Sequence, residues 1–289
     1  QQMGDRWTRF DFEWGVIEPE KNTYDFGMFD FVVEEAEARG IKLLALLNLN
    51  AAPEWQRSGG YLDFIDTPAN YAHYVGKVAE HFKGKVELFE LGNEPSYHMD
   101  VETYTEYLKA GYTAVKKANP DAKVITAGTT YETDPVSWVN GLYENGAKGY
   151  FDYLGYHPYT WPEGPDAPGF TVMKKLRDIM AENNDFDENG QVKEIMATEF
   201  GWPTTKNGGV SEDTQAKYLV DSFTNILIRE FPFIAIAFWY DLINDHDGDS
   251  VDPENNFGLY DKDYNAKPAV AAFQQESVIF SQSFSGIAP

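Results

Sequence analysis

Short apolar runs alternate with amphipathic stretches of helical period along the whole chain. The apolar runs predict strands at Trp7–Trp14, Ile41–Asn50, Val86–Leu91, Lys123–Thr129, Tyr153–Tyr159, Glu194–Phe200 and Ile234–Leu242. The stretches between them predict helices at Phe26–Arg39, Pro68–Phe82, Val101–Lys117, Pro135–Asn145, Thr171–Asn183, Glu212–Phe231 and Lys267–Glu276. Because strands that are separated by helices pair in parallel through right-handed crossovers, the pattern predicts an α/β fold with a parallel sheet.

Two architectures fit this alternation. A doubly wound open sheet normally carries a glycine-rich turn after an early strand, and no strand here is followed by one. A (β/α)₈ TIM barrel instead carries its chemistry at the carboxyl ends of many strands, which is the pattern of this chain. We therefore predict one (β/α)₈ catalytic domain over residues 1–289.

A barrel needs eight strands, and the pattern gives seven. Gln1–Gly4 resembles the end of a helix that leads into the first strand, so we expect the first βα unit before residue 1, either missing or circularly permuted. Ser277–Phe284 alternates like a strand. We predict that this segment, residues 277–284, fills the position beside the first strand.

Composition restricts the partners. The formal net charge of −24 repels phosphate backbones, which argues against nucleic acid and anionic membrane surfaces as partners. The absence of cysteine excludes disulfides, thiolate metal sites and thiol nucleophiles. No run is long and apolar enough to span a membrane, and no signal-peptide pattern follows Gln1. The 18 Tyr, 20 Phe and 7 Trp exceed what a core requires, so we expect some of them to face a ligand.

Polar side chains collect where the predicted strands end: Arg9, Asp11, Glu13, Asn48, Asn50, Asn93, Glu94, His157, Tyr159, Glu199, Trp239 and Asp241. The carboxyl ends of barrel strands meet at one mouth, so these residues predict a polar cup there.

Glu94 and Glu199 stand out within this set. If the expected unit is counted first, they leave strands four and seven, which lie across a barrel mouth from each other. Two carboxyl groups about 5–5.5 Å apart can cleave an acetal with a covalent intermediate, whereas a gap of roughly 6.5–9.5 Å accommodates a water and inverts the product. Each Glu could equally be a structural salt-bridge partner or lie beside a helix N-terminus.

Longer motifs surround both residues. "ELGNEP" closes one strand and "ATEFGW" closes another, and they occur together with "WTRFDFEWGVIEP", "YHPY", "FWYDL" and "NNFGLYDKDYNAKPAV". In this order the motifs resemble clan A of the glycoside hydrolases, which are retaining (β/α)₈ enzymes. The likeness covers nearly the full chain and is greatest to family 39 and its relatives, with family 5 next.

The resemblance implies roles for particular residues. Glu94 would be the acid/base and Glu199 the nucleophile. Arg9 would lie beneath Glu199 and keep that carboxylate ionised, while Asn93 would bind the 2-hydroxyl of the sugar. Three further residues would act on the nucleophile or the sugar: His157 and Tyr159 would orient Glu199, and Trp239 would form the floor under the sugar.

Structural explanations compete with these roles. Arg9 could simply neutralise Asp11 or Glu13, His157 could be a satisfied core histidine, and Trp239 could be ordinary packing.

Several aromatic residues follow strand ends, on loops that we expect at the rim of the cup. Indole and phenol rings stack on the apolar faces of sugars, so the rim suits a saccharide of more than one unit. Some of these rings could instead cover the core. The expected substrate-binding residues at the rim are Trp14, Asn48, Trp55, Tyr131, Trp161 and Trp202.

Other chemistries fit less well. A Schiff-base lysine is needed at a strand's carboxyl end, but four candidate lysines lie at strand starts: Lys42, Lys85, Lys123 and Lys193. The five histidines include no close pair on a strand, as a metallohydrolase would need. "DHDGDSVD", Asp245–Asp252, places its glycine wrongly for an EF-hand calcium loop. We therefore expect no metal and no cofactor.

The sequence thus predicts a retaining glycoside hydrolase that cleaves β-glycosidic bonds of a polysaccharide or oligosaccharide by double displacement, and that is endo-acting. Two alternatives stay open at this point: a carbohydrate-binding barrel without turnover, and a transglycosylase that uses the same site. From the size of the substrate we expect secretion, and we expect a monomer. The sequence does not identify the sugar or the linkage.

Overall fold

A computed structural model describes residues 7–50, 52–56, 64–227, 230–245 and 252–284. The predictions for Gln1–Gly4, and for residues 246–251 of the acidic loop, lie outside the described residues. In the part of the chain that the structure describes, no helix is both long and apolar enough to cross a membrane.

Eight strands and eight α-helices lie within the described residues. The strands are β1 (Trp7–Asp11), β2 (Lys42–Leu47), β3 (Leu88–Leu91), β4 (Lys123–Thr126), β5 (Thr129–Thr130), β6 (Leu154–His157), β7 (Ile195–Phe200) and β8 (Ile234–Trp239). The helices are α1 (Trp14–Ile17), α2 (Gly27–Ala38), α3 (Pro68–His81), α4 (Val101–Ala118), α5 (Pro135–Glu144), α6 (Pro168–Glu182), α7 (Glu212–Val220) and α8 (Pro268–Phe284). A π-helical stretch, Asp221–Leu227, continues α7.

The strands form two sheets. In the first, the order is β1-β2-β3-β4 and every pair is parallel, with Trp7 opposite Lys42, Leu44 opposite Leu88, and Leu88 opposite Lys123. In the second, the order is β5-β6-β7-β8. Sequential strands are therefore neighbours, separated in the chain by helices, and the prediction of an α/β fold with parallel pairing is confirmed.

The chain divides into two compact units. Among the described residues, the first unit comprises residues 7–156 and Leu176–Met196, and the second comprises His157–Lys175 and residues 197–284. The core of the first unit lies between the sheet and its helices: β2 is buried from Leu43 to Leu47, and Phe12 stacks on Phe29. The prediction of a single domain over residues 1–289 stays a prediction.

The core of the second unit is aromatic. Phe200, at the end of β7, meets Phe170 edge-on at 5.6 Å and Phe223 at 5.5 Å between ring centroids. Trp202 stacks on Phe170 at 6.0 Å. Edge-to-face and offset pairs at these distances are the favoured geometries of aromatic rings. They fix the end of β7, where Glu199 lies.

Helices α3, α4, α5 and α7 begin at the predicted residues, because local side chains mark their starts. Thr67, Asp100, Asp134 and Ser211 each accept a hydrogen bond from the backbone N–H three residues later. Such caps satisfy backbone donors that a helix start leaves free. Proline in the first turn of α3 and α5 adds a preset backbone angle.

The prediction that residues 277–284 form a strand beside β1 is wrong. These residues continue α8, which begins at Pro268. No Gly or Pro interrupts the chain between Pro268 and Phe284, and once a helix has nucleated each further residue adds a hydrogen bond at little entropic cost. Within the described residues β1 pairs only with β2.

Candidate active site

The first of the predicted catalytic residues, Glu94, follows the buried strand β3. Gly92 and Glu94 both have left-handed backbone angles, with φ of 97° and 43°. This conformation costs a residue with a Cβ about 1–2 kcal/mol, so a glutamate there indicates a constrained position. The backbone N–H of Glu94 donates to the carbonyl of Gly128 at 3.1 Å, which fixes the turn against the chain after β4.

Arg9 is held by a residue that the sequence analysis did not select. Its Nε donates to Oε2 of Glu90 at 2.5 Å, and Glu90 is fully buried in β3. A second guanidinium nitrogen donates to Oδ1 of Asn93 at 2.8 Å. Because the amide oxygen of Asn93 accepts this bond, its NH₂ group is the part that can donate to a ligand. Arg9 therefore links the buried strand to the residue beside Glu94.

Three hydroxyl groups brace the short helical turn after Glu94, Pro95–Tyr97. Oγ of Ser96 lies 2.9 Å from Oγ1 of Thr129 and 2.8 Å from Oγ1 of Thr133. The two threonine oxygens are 3.0 Å apart. Each hydroxyl can both donate and accept, so this triangle is satisfied internally. It fastens the turn that carries Glu94 to β5 and the turn after it.

The second predicted catalytic residue, Glu199, lies near the end of β7 with 12% of its side chain exposed. The hydroxyl of Tyr159 donates to Oε2 of Glu199 at 2.9 Å, and Nδ1 of His157 lies 3.7 Å from the same oxygen. The buried His157 also contacts Oγ1 of Thr198 through Nε2 at 3.0 Å. A hydroxyl that donates to a carboxylate stabilises its ionised form. The structure thus brings His157 and Tyr159 to Glu199, as the family resemblance implied.

Trp239 lies close to the other aromatic residues at the ends of β7 and β8. Its ring centroid is 5.6 Å from Phe200 and 5.8 Å from Trp202. Its Nε1 is buried and has no hydrogen-bond partner among the described residues. An unpaired buried donor is costly, so this N–H is available to a ligand oxygen.

A buried lysine supports the loops beside Glu199. Nζ of Lys267 donates to Oγ1 of Thr204 at 2.9 Å, to Oδ1 of Asn244 at 3.0 Å and to the carbonyl of Asn256 at 3.3 Å. These bonds tie the loops after β7 and β8 to the turn that carries Phe257. The Phe257 ring in turn lies 5.7 Å from Tyr159.

Two ionisable groups in these loops have shifted pKa values. Burial, reinforced by the charge of Asp245, raises the pKa of Asp241 to about 7, and Lys267 partly opposes that shift. Burial lowers the pKa of Lys267 to about 8. Low dielectric disfavours the charged form of both groups, which explains the opposite directions.

A cleft in the first unit opens at the ends of β1 and β2. Its volume is about 540 Å³, within the usual range for small-molecule sites. Carboxylates and amides supply most of its polar lining: Asp11, Glu13, Glu54, Asn48 and Asn50. Asn48, predicted to bind substrate, therefore does face a cleft. Carboxylates and amides can both pair with sugar hydroxyls. The carboxylates, which are charged, also repel anionic groups.

Two of the tryptophans predicted at the rim are in the core instead. Trp14 is 1% exposed, begins α1, stacks on Tyr74 and donates through Nε1 to Glu18 at 2.7 Å. Trp202 is fully buried and donates to the carbonyl of Glu163 at 2.7 Å. The prediction that they line the rim is wrong, because packing partners distant in sequence cover both rings.

The remaining aromatic residues of the predicted rim do reach solvent. Trp55 is 37% and Tyr131 46% exposed. Trp161 is half-buried, with its ring centroid 6.3 Å from Phe257. These three rings can still contact a sugar.

Glu90, Lys267 and Tyr97 are the site residues that the sequence analysis missed. Glu90 carried a usable signal, because a charged residue at the centre of the apolar strand "LFEL" needs a partner. The signal for Lys267 was weaker: its position directly before Pro268 predicts that it lies at the start of a helix and does not show that it is buried. Tyr97 carried none beyond its place three residues after Glu94.

Solved structures of known proteins share the fold. A family 39 glycoside hydrolase from Bacteroides cellulosilyticus WH2 is 28% identical with a TM-score of 0.81, over 96% of this chain and 59% of that chain. Xylanase 10B from Thermotoga maritima is 19% identical with a TM-score of 0.69, over 96% of this chain and 88% of that one. Together with the parallel strands and the helices between them, these matches show the class of fold: the (β/α)₈ TIM barrel of the clan A glycoside hydrolases, as predicted.

The particular family follows from the sequence. The chain belongs to the Cellulase family, glycosyl hydrolase family 5, whose sequence profile matches residues 2–234. It is also 27% identical over 139 residues to a beta-1,4-xylanase from Dictyoglomus thermophilum, covering 43% of this chain and 38% of that protein. The chain thus spans about three fifths of the family 39 structure, and the match takes in well under half of the xylanase. The motifs had ranked family 5 second, after family 39.

Proposed function

We propose that this protein is a retaining β-glycosidase that hydrolyses a polysaccharide or oligosaccharide. The observation that carries the proposal is the carboxylate of Glu199, which lies near the end of β7 and accepts a hydrogen bond from Tyr159 at 2.9 Å. Membership of glycosyl hydrolase family 5 supports the reaction class. The constrained Glu94, next to an oriented amide at Asn93, supports a second catalytic carboxyl group.

In the proposed mechanism Glu94 and Glu199 act on the same glycosidic bond. A carboxylate oxygen of Glu199 attacks the anomeric carbon, and the bond to the leaving oxygen breaks as Glu94 gives that oxygen its proton. A glycosyl ester on Glu199 results. Glu94, now ionised, takes a proton from water, the water oxygen attacks the same carbon, and Glu199 leaves as a carboxylate. Two inversions retain the β configuration.

The surrounding residues have defined tasks in this proposal. Tyr159 holds one oxygen of Glu199 and stabilises its charge before attack. The NH₂ group of Asn93, oriented by Arg9, donates to a sugar hydroxyl. Trp239 presents its unpaired N–H and its ring to the sugar at the cleavage point.

We also propose endo cleavage of a β-1,4-linked chain. The open, polar cleft of the first unit and the exposed aromatic rings provide room for several sugar units. A panel of xylan, mannan and cellulose oligosaccharides, with sizing of the first products, tests this. Products of intermediate length are expected, whereas release of single sugars from one end would contradict endo action.

Substitutions of the two glutamates test the proposed function. Glu199→Gln should lower kcat by at least about 10⁴-fold while binding of an oligosaccharide, measured by calorimetry, stays within a few-fold. Glu94→Ala should be slow on ordinary glycosides, whose leaving oxygen needs a proton, but on an aryl glycoside with a good leaving group it should regain turnover when azide is added, because azide attacks the glycosyl ester without a general base. Unchanged sugar release by Glu199→Gln would show that the roles are wrong. Glu37→Gln, which changes an exposed acid on helix α2, is the control.

A further inference from the structure

Two exposed tyrosines lie beside the turn that carries Glu94. Tyr97 and Tyr131 are each 46% exposed, although both belong to short helical turns with many internal bonds. Large aromatic side chains that stay exposed and yet are held rigidly are typical of binding surfaces. We call this pair the aromatic platform.

Tyr97 is fixed at both ends. Its backbone N–H donates to the carbonyl of Glu94 at 3.2 Å. Its hydroxyl lies 2.9 Å from Oγ1 of Thr130 and donates to Oε2 of Glu132 at 3.0 Å. The edge of the ring is therefore held by hydrogen bonds, while its exposed surface is left for a ligand.

The same hydrogen bonds join the two turns that carry these tyrosines. Thr130 and Glu132 are the residues on either side of Tyr131, so the hydroxyl of Tyr97 is bound to both neighbours of the second ring. His98 follows Tyr97 in the chain, and the ring centroids of His98 and Phe64 lie 5.4 Å apart. Aromatic side chains thus continue away from Glu94 on this part of the first unit.

The charge of Glu94 reaches Tyr97. Partial burial, together with the carboxylates of Glu132 and Glu94, raises the pKa of Tyr97 to about 12. The phenol therefore stays protonated at neutral pH and keeps donating to Glu132.

We propose that the aromatic platform binds the first sugar of the leaving group, and this inference rests on the proposed function of Glu94. An acid that protonates the glycosidic oxygen must come within about 3 Å of it. The leaving sugar is bonded to that oxygen, so its ring lies next to Glu94. Tyr97 and Tyr131 present aromatic surface there, and pyranose rings offer apolar C–H faces that pack on such rings. The expected ligand is a neutral pyranose unit.

Kinetics with two substrates of the same glycone test this proposal. One substrate is an oligosaccharide, whose leaving group is a sugar, and the other is the methyl glycoside, whose leaving group also needs protonation but has no ring. Tyr97→Ala should lower kcat/KM for the oligosaccharide about tenfold and leave the methyl glycoside within about twofold. Tyr97→Phe keeps the ring and should retain most activity on both.

Controls separate the platform from other effects. Tyr131→Ala should show the same selective loss, whereas Phe31→Ala removes an exposed aromatic ring from helix α2 and should change neither substrate. Equal losses on both substrates would overturn the proposal and show that Tyr97 acts only by positioning Glu94. No loss on either would overturn it as well. If the unmodified protein cleaved no glycoside of the panel, the proposed function itself would fail, and the platform with it.

Discussion

At the residue scale, the hydrogen bond from Tyr159 to Glu199 is the contact on which the proposed nucleophile depends in our mechanism. Hydrogen bonds to charged groups contribute about 1.5–3 kcal/mol, so Tyr159→Phe should lower kcat by roughly ten- to a hundredfold with a small change in KM. Steady-state kinetics measure both.

Tyr143→Phe is the matched control. It removes a similar bond, from the hydroxyl of Tyr143 to Asp185 at 3.0 Å, from helix α5. This variant should affect stability and leave kcat unchanged. Equal kcat values for Tyr159→Phe and the unmodified protein would contradict the role of Tyr159.

Glu90 carries a buried charge that pairs with Arg9. Glu90→Gln removes the carboxylate that Nε of Arg9 contacts, and the side chain of Arg9 is only 12% exposed. We expect the free energy of unfolding to fall by about 3 kcal/mol. Glu87→Gln breaks an ion pair with Lys42 that is exposed on both sides, so it should cost less than about 1 kcal/mol. Urea denaturation compares the two, and equal losses would contradict the account.

At the scale of elements, the loops after β7 and β8 are joined by Lys267 and contain Asp241. The pKa of Asp241 is raised to about 7, so the folded state holds its proton more tightly than the unfolded state does. Stability linked to this group is therefore complete below about pH 4 and is lost as the pH rises through about 7.

Asp241→Asn should remove this pH dependence. The free energy of unfolding of the variant minus that of the unmodified protein should therefore rise by about 1–3 kcal/mol when the pH is raised from 5 to 8. Thermal or urea denaturation at the two pH values measures it. An identical pH profile for both proteins would show that Asp241 does not titrate as described.

At the scale of the whole molecule, charge selects among substrates. The net charge of −24 and the carboxylates of the cleft repel anionic sugars. We expect a lower kcat/KM for glycans that carry uronic acids than for neutral ones. Raising the ionic strength from ~0.01 M to ~0.15 M should narrow this difference, because salt screens exposed charges. If the ratio of kcat/KM for neutral glycans to kcat/KM for glycans with uronic acids did not change with salt, this prediction would be contradicted.

Much of the fold could be predicted because its signals are local. Parallel pairing follows from the alternation of apolar runs and amphipathic stretches, and the starts of α3 and α5 follow from Thr67 and Asp134 as caps before a proline. The strand predicted at residues 277–284 failed because an alternating pattern in a short segment does not exclude a helix that has already begun.

The site was predictable only where chemistry follows a motif. Glu94, Glu199, His157 and Tyr159 were predicted this way, from the motifs that contain them. Glu90 was missed because its partner Arg9 is 81 positions away in the chain. Trp14 and Trp202 were misplaced because burial is decided by distant rings such as Tyr74 and Phe170. Contacts of this kind are set by tertiary packing, which a single sequence does not display.

Covalent trapping tests the central claim most directly. In a 2-deoxy-2-fluoro-β-glycosyl fluoride of the preferred sugar, the fluorine at C2 slows both steps, but the anomeric fluoride is a good leaving group and keeps the first step faster than the second, so the covalent intermediate accumulates. After incubation, intact mass spectrometry should show one added fluorosugar, and peptide mapping should place it on Glu199. An adduct on another residue would contradict the account. So would the absence of an adduct together with a first product that NMR shows to have the inverted configuration.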